Sequence, residues 1–200
     1  RNQIIASSAS AGINTICLGG RWVGTWMSRI SWSKSMPAFS AALEKTIADP
    51  RGHAAFAIPR RSSFCGRPMK HSGWWPDHVI RLFRRDAARF SDDRAHERLL
   101  VEGVTRKLKQ PLMHEAISTM DQMLGKMNLY STASARMLHE RGRKASLATA
   151  VFHGSWAFFR TYILRLGFLD GREGFILAVA NAEGSYYRYV KLLLENGKRR

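Results

Sequence analysis

The chain has 200 residues, 45% of them hydrophobic, enough for a compact domain with a real core. Its formal net charge of +17 implies an anionic partner: nucleic acid, a phosphorylated substrate or an acidic membrane surface. Two cysteines, Cys17 and Cys65, exclude a disulfide framework and point to a reducing compartment; Arg160, Arg165 and Asp170 break the longest apolar run short of a membrane span.

Residues 1 to about 42 carry no Asp or Glu and are rich in Ser, Gly and Trp. No clear signal peptide opens the chain, and Arg1 in place of Met suggests a fragment. Ile4-Ile5 and Ile13 to Leu18 are candidate strands, and Gly19-Gly20 is a turn signal. Pro37 to Ala48 predicts a short helix, with proline at its start and Asp49-Pro50 as its stop. Ala54 to Pro59 predicts a strand, and Arg60 to Arg67 a turn centred on Gly66.

The stretch His71 to Leu100 organises the rest. A Gly73-Trp74-Trp75-Pro76-Asp77 turn precedes the β-formers Val79, Ile80, Leu82 and Phe83, which predict an edge or hairpin strand. Arg81, Arg84 and Arg85 come with that strand, and His96-Glu97 follows in the next loop. A carboxylate beside arginines suits a general base that deprotonates a hydroxyl, and suits equally a surface ion pair. Trp74 and Trp75 offer faces for a sugar ring or form a buried aromatic corner. Leu99 to Leu108 is strand-like and broken at Gly103, completing a small mixed sheet.

From Met113 the period becomes helical: Ile117, Met120, Leu124, Met127 and Leu138 predict a long helix to about Lys144, with the methionine stripe as packing. Phe152, Trp156, Phe159, Ile163 and Leu166 form a second apolar face, flanked by Arg160 and Arg165. Ile176, Val179, Tyr187, Val190 and Leu194 form a third, with basic residues outside the stripe. Such faces suit an interfacial contact with an anionic membrane, or helix packing. The histidines and cysteines lack zinc-ligand spacing, and no motif frames a nucleophile. A basic nucleic-acid-binding protein is the rival class, supported by charge but by no helix-turn-helix, zinc-finger or RNA-recognition signature.

An ordered set of motifs runs from about Leu43 to the C-terminus. It comprises Phe64-Cys65-Gly66-Arg67, His71-Ser72-Gly73-Trp74-Trp75-Pro76-Asp77, Arg81-Leu82-Phe83-Arg84-Arg85, Arg89-Phe90 and His96-Glu97. Leu112-Met113-His114, Lys126-Met127-Asn128-Leu129-Tyr130-Ser131, Gly167-Phe168-Leu169-Asp170-Gly171 and Gly174-Phe175 continue it. In order and spacing this set resembles family 2 glycosyltransferases of the lipopolysaccharide-core type, the core β-1,4-glucosyltransferase-like branch.

The resemblance implies an α/β fold of the GT-A-like, nucleotide-diphospho-sugar transferase kind, here a fragment with a small mixed sheet followed by a C-terminal helical region. It implies an unmatched segment 1–42, an acceptor and catalytic half at 43–112, and a helical region at 113–200, whose apolar faces suit either a membrane-peripheral place or helix packing. The implied reaction is inverting transfer from a nucleotide-sugar donor to a lipopolysaccharide-core hydroxyl, on the cytoplasmic face of the inner membrane. Glu97 is the implied base with His96 orienting it; Arg81, Arg84 and Arg85, with Trp74, Trp75 and Asp77, are the implied substrate-binding residues. The family also uses a divalent metal, Mg or Mn, held by an Asp-x-Asp motif, and this chain contains no Asp-x-Asp. Arg21 to Trp32 stands where that motif belongs. Two explanations stay open: a frameshift upstream of about Ala38, or a diverged remnant.

Overall fold

The computed structural model describes residues 13–18, 22–27, 36–90 and 99–197. They divide into two compact units, one within Arg1–Ser62 and Pro76–Glu115, the other within Ser63–Trp75 and Ala116–Arg200. Ile4-Ile5, Gly19-Gly20 and the pair His96-Glu97 lie outside the described residues.

The first unit is a sheet covered by a helix. Strands β1 (Ile13–Leu18) and β2 (Trp22–Met27) pair antiparallel, and β2 then pairs with β5 (Asp77–Arg84) through Trp22 opposite Arg84. On its other side β5 pairs antiparallel with β3 (Ala55–Phe64). So β5 is an interior strand and not the edge or hairpin strand its sequence suggests. The neighbour that covers it, β2, comes from the N-terminal segment, which shows no strand periodicity of its own. Strand β8 (Thr105–Lys107) runs parallel to β3, with Ala55 opposite Thr105, so the sheet is mixed as expected. Strands β6 (Ala88–Phe90) and β7 (Leu99–Val101) form a separate two-stranded ribbon, and the expected break at Gly103 separates β7 from β8.

Helix α1 (Met36–Ala48) places Phe39, Leu43 and Ile47 on one stripe, at i, i+4 and i+8. That stripe meets Phe56, Ile58, Leu82 and Leu112 of the sheet. Burial of side chains of this size contributes about 2 kcal/mol each before entropy is counted. Alternation along β3 sends Ala55 the other way, where it packs on Phe83 with Ile80, Leu99 and Val101 around it.

The second unit begins where β3 ends. Cys65 and Gly66 both take positive φ, 48° and 82°, and Phe64 pairs with Arg67 across them at the start of β4 (Arg67–Pro68). This is a two-residue hairpin, so the turn centred on Gly66 is as expected but β3 runs four residues beyond Arg60 before reaching it. Strand β9 (Leu112–Ile117) occupies residues where the helical period starting at Met113 predicts a helix. The helix α2 (Met120–Glu140) starts later because the Thr119 hydroxyl caps it, accepting from Gln122 N at 3.2 Å. It stops before Lys144, where Gly142 turns left-handed at φ 69°. Helix α3 (Leu147–Phe159) follows, then a π turn (Arg160–Leu164), a 3-10 turn (Gly167–Asp170) and the long α4 (Gly171–Gly197).

The core of this unit is Phe64, Met69, Ile117, Met123, Leu177 and Ala180. Of the expected stripe, Ile117 is buried, Met127 and Leu138 are half-buried, and Met120 and Leu124 are exposed; Met123, outside that stripe, is the methionine of α2 that is buried. The helices meet through small residues. Gly154 of α3 lies so close to α4 that an added Cβ would stand 3.2 Å from Tyr186 Cβ and 3.3 Å from the Ala182 carbonyl. Accordingly α3 buries Ala150, Gly154 and Ala157 and turns Phe152, Trp156 and Phe159 outward. The third apolar face is also not the buried one: α4 buries Gly174, Leu177, Ala178, Ala180 and Leu192, and leaves Ile176, Tyr187 and Leu194 exposed. Lys191 on α4 fastens α2 by donating to Asn128 Oδ1, Ser131 Oγ and Thr132 Oγ1 at 2.7–2.8 Å. Among the described residues no helix is long and apolar enough to cross a membrane.

Candidate functional site

Strand register decides the chemistry around β5. It sets Asp77 opposite Arg60, and Arg60 grips the carboxylate with both Nε (2.8 Å to Oδ2) and Nη2. Asp77 therefore serves as the counter-charge of Arg60. Arg81 is 7% exposed. Burial lowers its pKa first and the charge of Arg60 lowers it further, while Asp77 acts in the opposite direction. Arg84 donates to Asp86, Nε to Oδ1 at 3.1 Å, and that bond raises its pKa. Arg85 is exposed and, with Asp86, Arg89 and Glu102, borders a cavity of about 220 Å³. His96 and Glu97 lie outside the described residues; the strands on either side of that stretch pair Phe90 with Leu99.

In the second unit, Trp74 meets Phe64 edge-on at 6.1 Å and packs against the core, and Trp75 is half-buried. Just before them, Ser72 and Gly73 both take positive φ, 58° and 79°, and Trp74 N donates to the His71 carbonyl at 3.0 Å. A β-turn with two left-handed central residues costs strain at Ser72, so something must hold it. That anchor is Asp170, 2% exposed and almost a hundred residues away in sequence. Its carboxylate accepts from Lys70 N and His71 N at 3.0 Å and from the Ser72 hydroxyl at 3.0 Å, and lies 3.2 Å from His71 Nδ1. Next to it, Glu173 accepts from Arg172 at 2.6 Å and from Arg67 at 2.9 Å. Chiefly the Arg172 bond, with backbone and Arg67 contributions, lowers its pKa to about 2.

Among the described residues no group of three or more His, Cys, Asp and Glu is placed to hold a metal ion.

Over 85 residues the chain is 28% identical to an uncharacterized glycosyltransferase of Rickettsia conorii, an alignment covering 42% of this chain and 30% of that protein. Uncharacterized glycosyltransferases of Rickettsia felis and Rickettsia bellii match over the same length at the same identity. Part of the chain is thus distantly similar to glycosyltransferases. The chain spans about 30% of the length of the curated relatives it matches. No family model and no solved structure matches it.

The expected substrate-binding residues fall in two different units. Asp77, Arg81, Arg84 and Arg85 belong to the first unit and Trp74 and Trp75 to the second. Sequence reasoning assigns no site role to Asp170, Glu173 or His71, although all three lie in or beside the motif set. A glycine-flanked Asp170 at a helix start is a visible signal, but its partners come from a distant segment that nothing local specifies.

Proposed function

We propose that the chain derives from an inverting glycosyltransferase that moves a sugar from a nucleotide-sugar donor to a hydroxyl of the lipopolysaccharide core. The observation that carries this reading is the similarity, over 42% of the chain, to proteins named glycosyltransferases. The Asp170 network supports it further, since it joins the His71-Ser72-Gly73 and Gly167–Gly171 pieces of the motif set in one hydrogen-bonded structure. In the proposed reaction the acceptor oxygen attacks the anomeric carbon as the nucleoside diphosphate leaves. Glu97 takes the hydroxyl proton and His96 orients it. Arg81, Arg84 and Arg85 supply positive charge for the phosphates. In a version of the chain supplied with an Asp-x-Asp donor half, Glu97→Gln lowers radiolabelled sugar transfer to purified core acceptor by about 10²-fold. Transfer at the unsubstituted rate would remove Glu97 from the role.

A peripheral contact with the inner face of the inner membrane belongs to the same reading. The supporting observation is the outward face of α3, where Phe152 is 66% exposed and Trp156 46%. Arg160 and Arg165 flank that face, and each cation near an anionic leaflet adds about 1 kcal/mol of attraction. The double substitution Phe152→Ser and Trp156→Ser weakens sedimentation with anionic vesicles. Unchanged sedimentation, alongside tight salt-sensitive binding to DNA or RNA, would favour a nucleic-acid partner.

A further inference from the structure

The second unit contains a cavity of about 440 Å³ among α2, the α3 and π segment, α4 and the 72–74 turn. Lys126, Arg160, Arg165 and Arg188 all line it, and no Asp or Glu does. Among the described residues no carboxylate pairs with Arg160, Arg165 or Arg188. The three guanidinium groups repel each other, and no Asp or Glu of the lining offsets them. Arg188 Nε is buried and makes no hydrogen bond among the described residues. A buried donor of this kind is costly to leave unmade, and an anion in the cavity is the acceptor that would satisfy it.

The cavity is also built, in that its mouth is held in place. The Arg165 side chain lies directly over Gly73, where an added Cβ would stand 2.7 Å from Arg165 Cδ. Gly73 takes the left-handed φ of 79°, which favours glycine, and the Arg165 side chain occupies the space that a Cβ would take. The Arg165 carbonyl accepts from Ser72 N at 2.8 Å, and the Ser72 hydroxyl is fixed by Asp170. The network around Asp170 thus positions a cationic wall as well as a turn. Ile117, Met123 and Leu177, all of the hydrophobic core, give the lining an apolar floor.

We propose that this cavity binds a phosphate or diphosphate ester. Guanidinium forks match phosphate oxygens in pairs, which a carboxylate ligand would use less fully with three arginines present. The volume exceeds that of a bare phosphate and falls within the range of small-ligand sites, so the apolar floor takes the group attached to the phosphate. The inference rests on the cavity and needs no glycosyl transfer, although Arg160 and Arg165 also flank the outward face of α3, so pyrophosphate binding in solution, with no membrane present, is the reading that decides it. Both a soluble phosphate ester and a lipid headgroup present this chemistry.

Pyrophosphate is the soluble probe and vesicles of phosphatidic acid in phosphatidylcholine the lipid one. Titration calorimetry of the whole chain detects pyrophosphate binding, and Arg165→Gln and Arg160→Gln, both exposed side chains, each weaken it at least tenfold while circular dichroism stays unchanged. Arg51→Gln, an exposed arginine of the first unit, leaves it unaltered. A lipid source is indicated if pyrophosphate releases the chain from phosphatidic acid vesicles and Arg165→Gln lowers vesicle binding; a soluble source if vesicle binding ignores both. Absence of pyrophosphate binding to the unsubstituted chain, or equal affinity in the folded Arg165→Gln and Arg160→Gln variants, would overturn the proposal.

Discussion

The two units handle the same surplus of arginine in opposite ways. In the first, strand register and short turns bring carboxylates to it: Arg60 holds Asp77 across β3 and β5, and Arg84 holds Asp86 two residues on. In the second, the carboxylates go elsewhere. Asp170 is spent on backbone amides and a hydroxyl, Glu173 on Arg67 and Arg172, and the three arginines around the cavity face each other without one. Net charge alone therefore says little about where an anion binds. What matters is where positive charge lacks an internal partner, and that depends on which carboxylates the backbone geometry consumes.

The sharpest way to break this contrast is through the structure that consumes Asp170. A Cβ on Gly174 would run into the Gly167 carbonyl and stand 2.9 Å from Asp170 Cβ. Backbone has to move to accommodate it, so Gly174→Ala destabilises the second unit by about 3 kcal/mol, seen as a lowered midpoint in chemical denaturation. A midpoint equal to that of the unsubstituted chain would mean the 3-10 turn is not packed on α4 as described.

In the first unit the corresponding change is Asp77→Asn. It removes the negative charge that offsets Arg60 and the buried Arg81. The pair is partly screened, with side chains 24% and 36% exposed, so the expected loss is about 1–2 kcal/mol, between surface and buried ion pairs. High salt should shrink that loss, and a loss indifferent to salt would show that packing rather than charge is responsible.

The smallest effect is a pH dependence. Glu173 titrates at about 2 in the folded chain, below its usual 4.5. Between those values the unfolded chain binds the extra proton, so the contribution of Glu173 is complete above about pH 4.5 and is lost as pH falls toward 2. Arg172 is 88% exposed and Arg67 47%, so solvent weakens both bonds. Glu173→Gln flattens the stability curve in that window alone. An unchanged acid limb in denaturation followed from pH 5 to 2 would remove Glu173 from the account.

The sequence by itself determined the elements whose causes are local. Asp49-Pro50 stops α1, Cys65-Gly66 closes the β3–β4 hairpin, and the run of β-formers before Arg84 makes β5, all from side-chain and backbone preferences within a few residues. The resemblance to glycosyltransferases likewise lies in the order and spacing of motifs along the chain. Tertiary structure decided the rest. Whether β5 lies at an edge depends on β2 pairing with it, and hydrogen bonding between strands carries no local sequence signature. Periodicity marks an apolar stripe on α3 but not its direction; the close approach permitted by Gly154 and Ala157 put the small face inward and the aromatic face outward. Asp170 finds its partners only because the chain folds residues 70–72 onto the start of α4, and Arg160, Arg165 and Arg188 share a cavity only because three helix segments converge there. Spatial convergence of distant residues is a property of packing, and no window along the chain contains it.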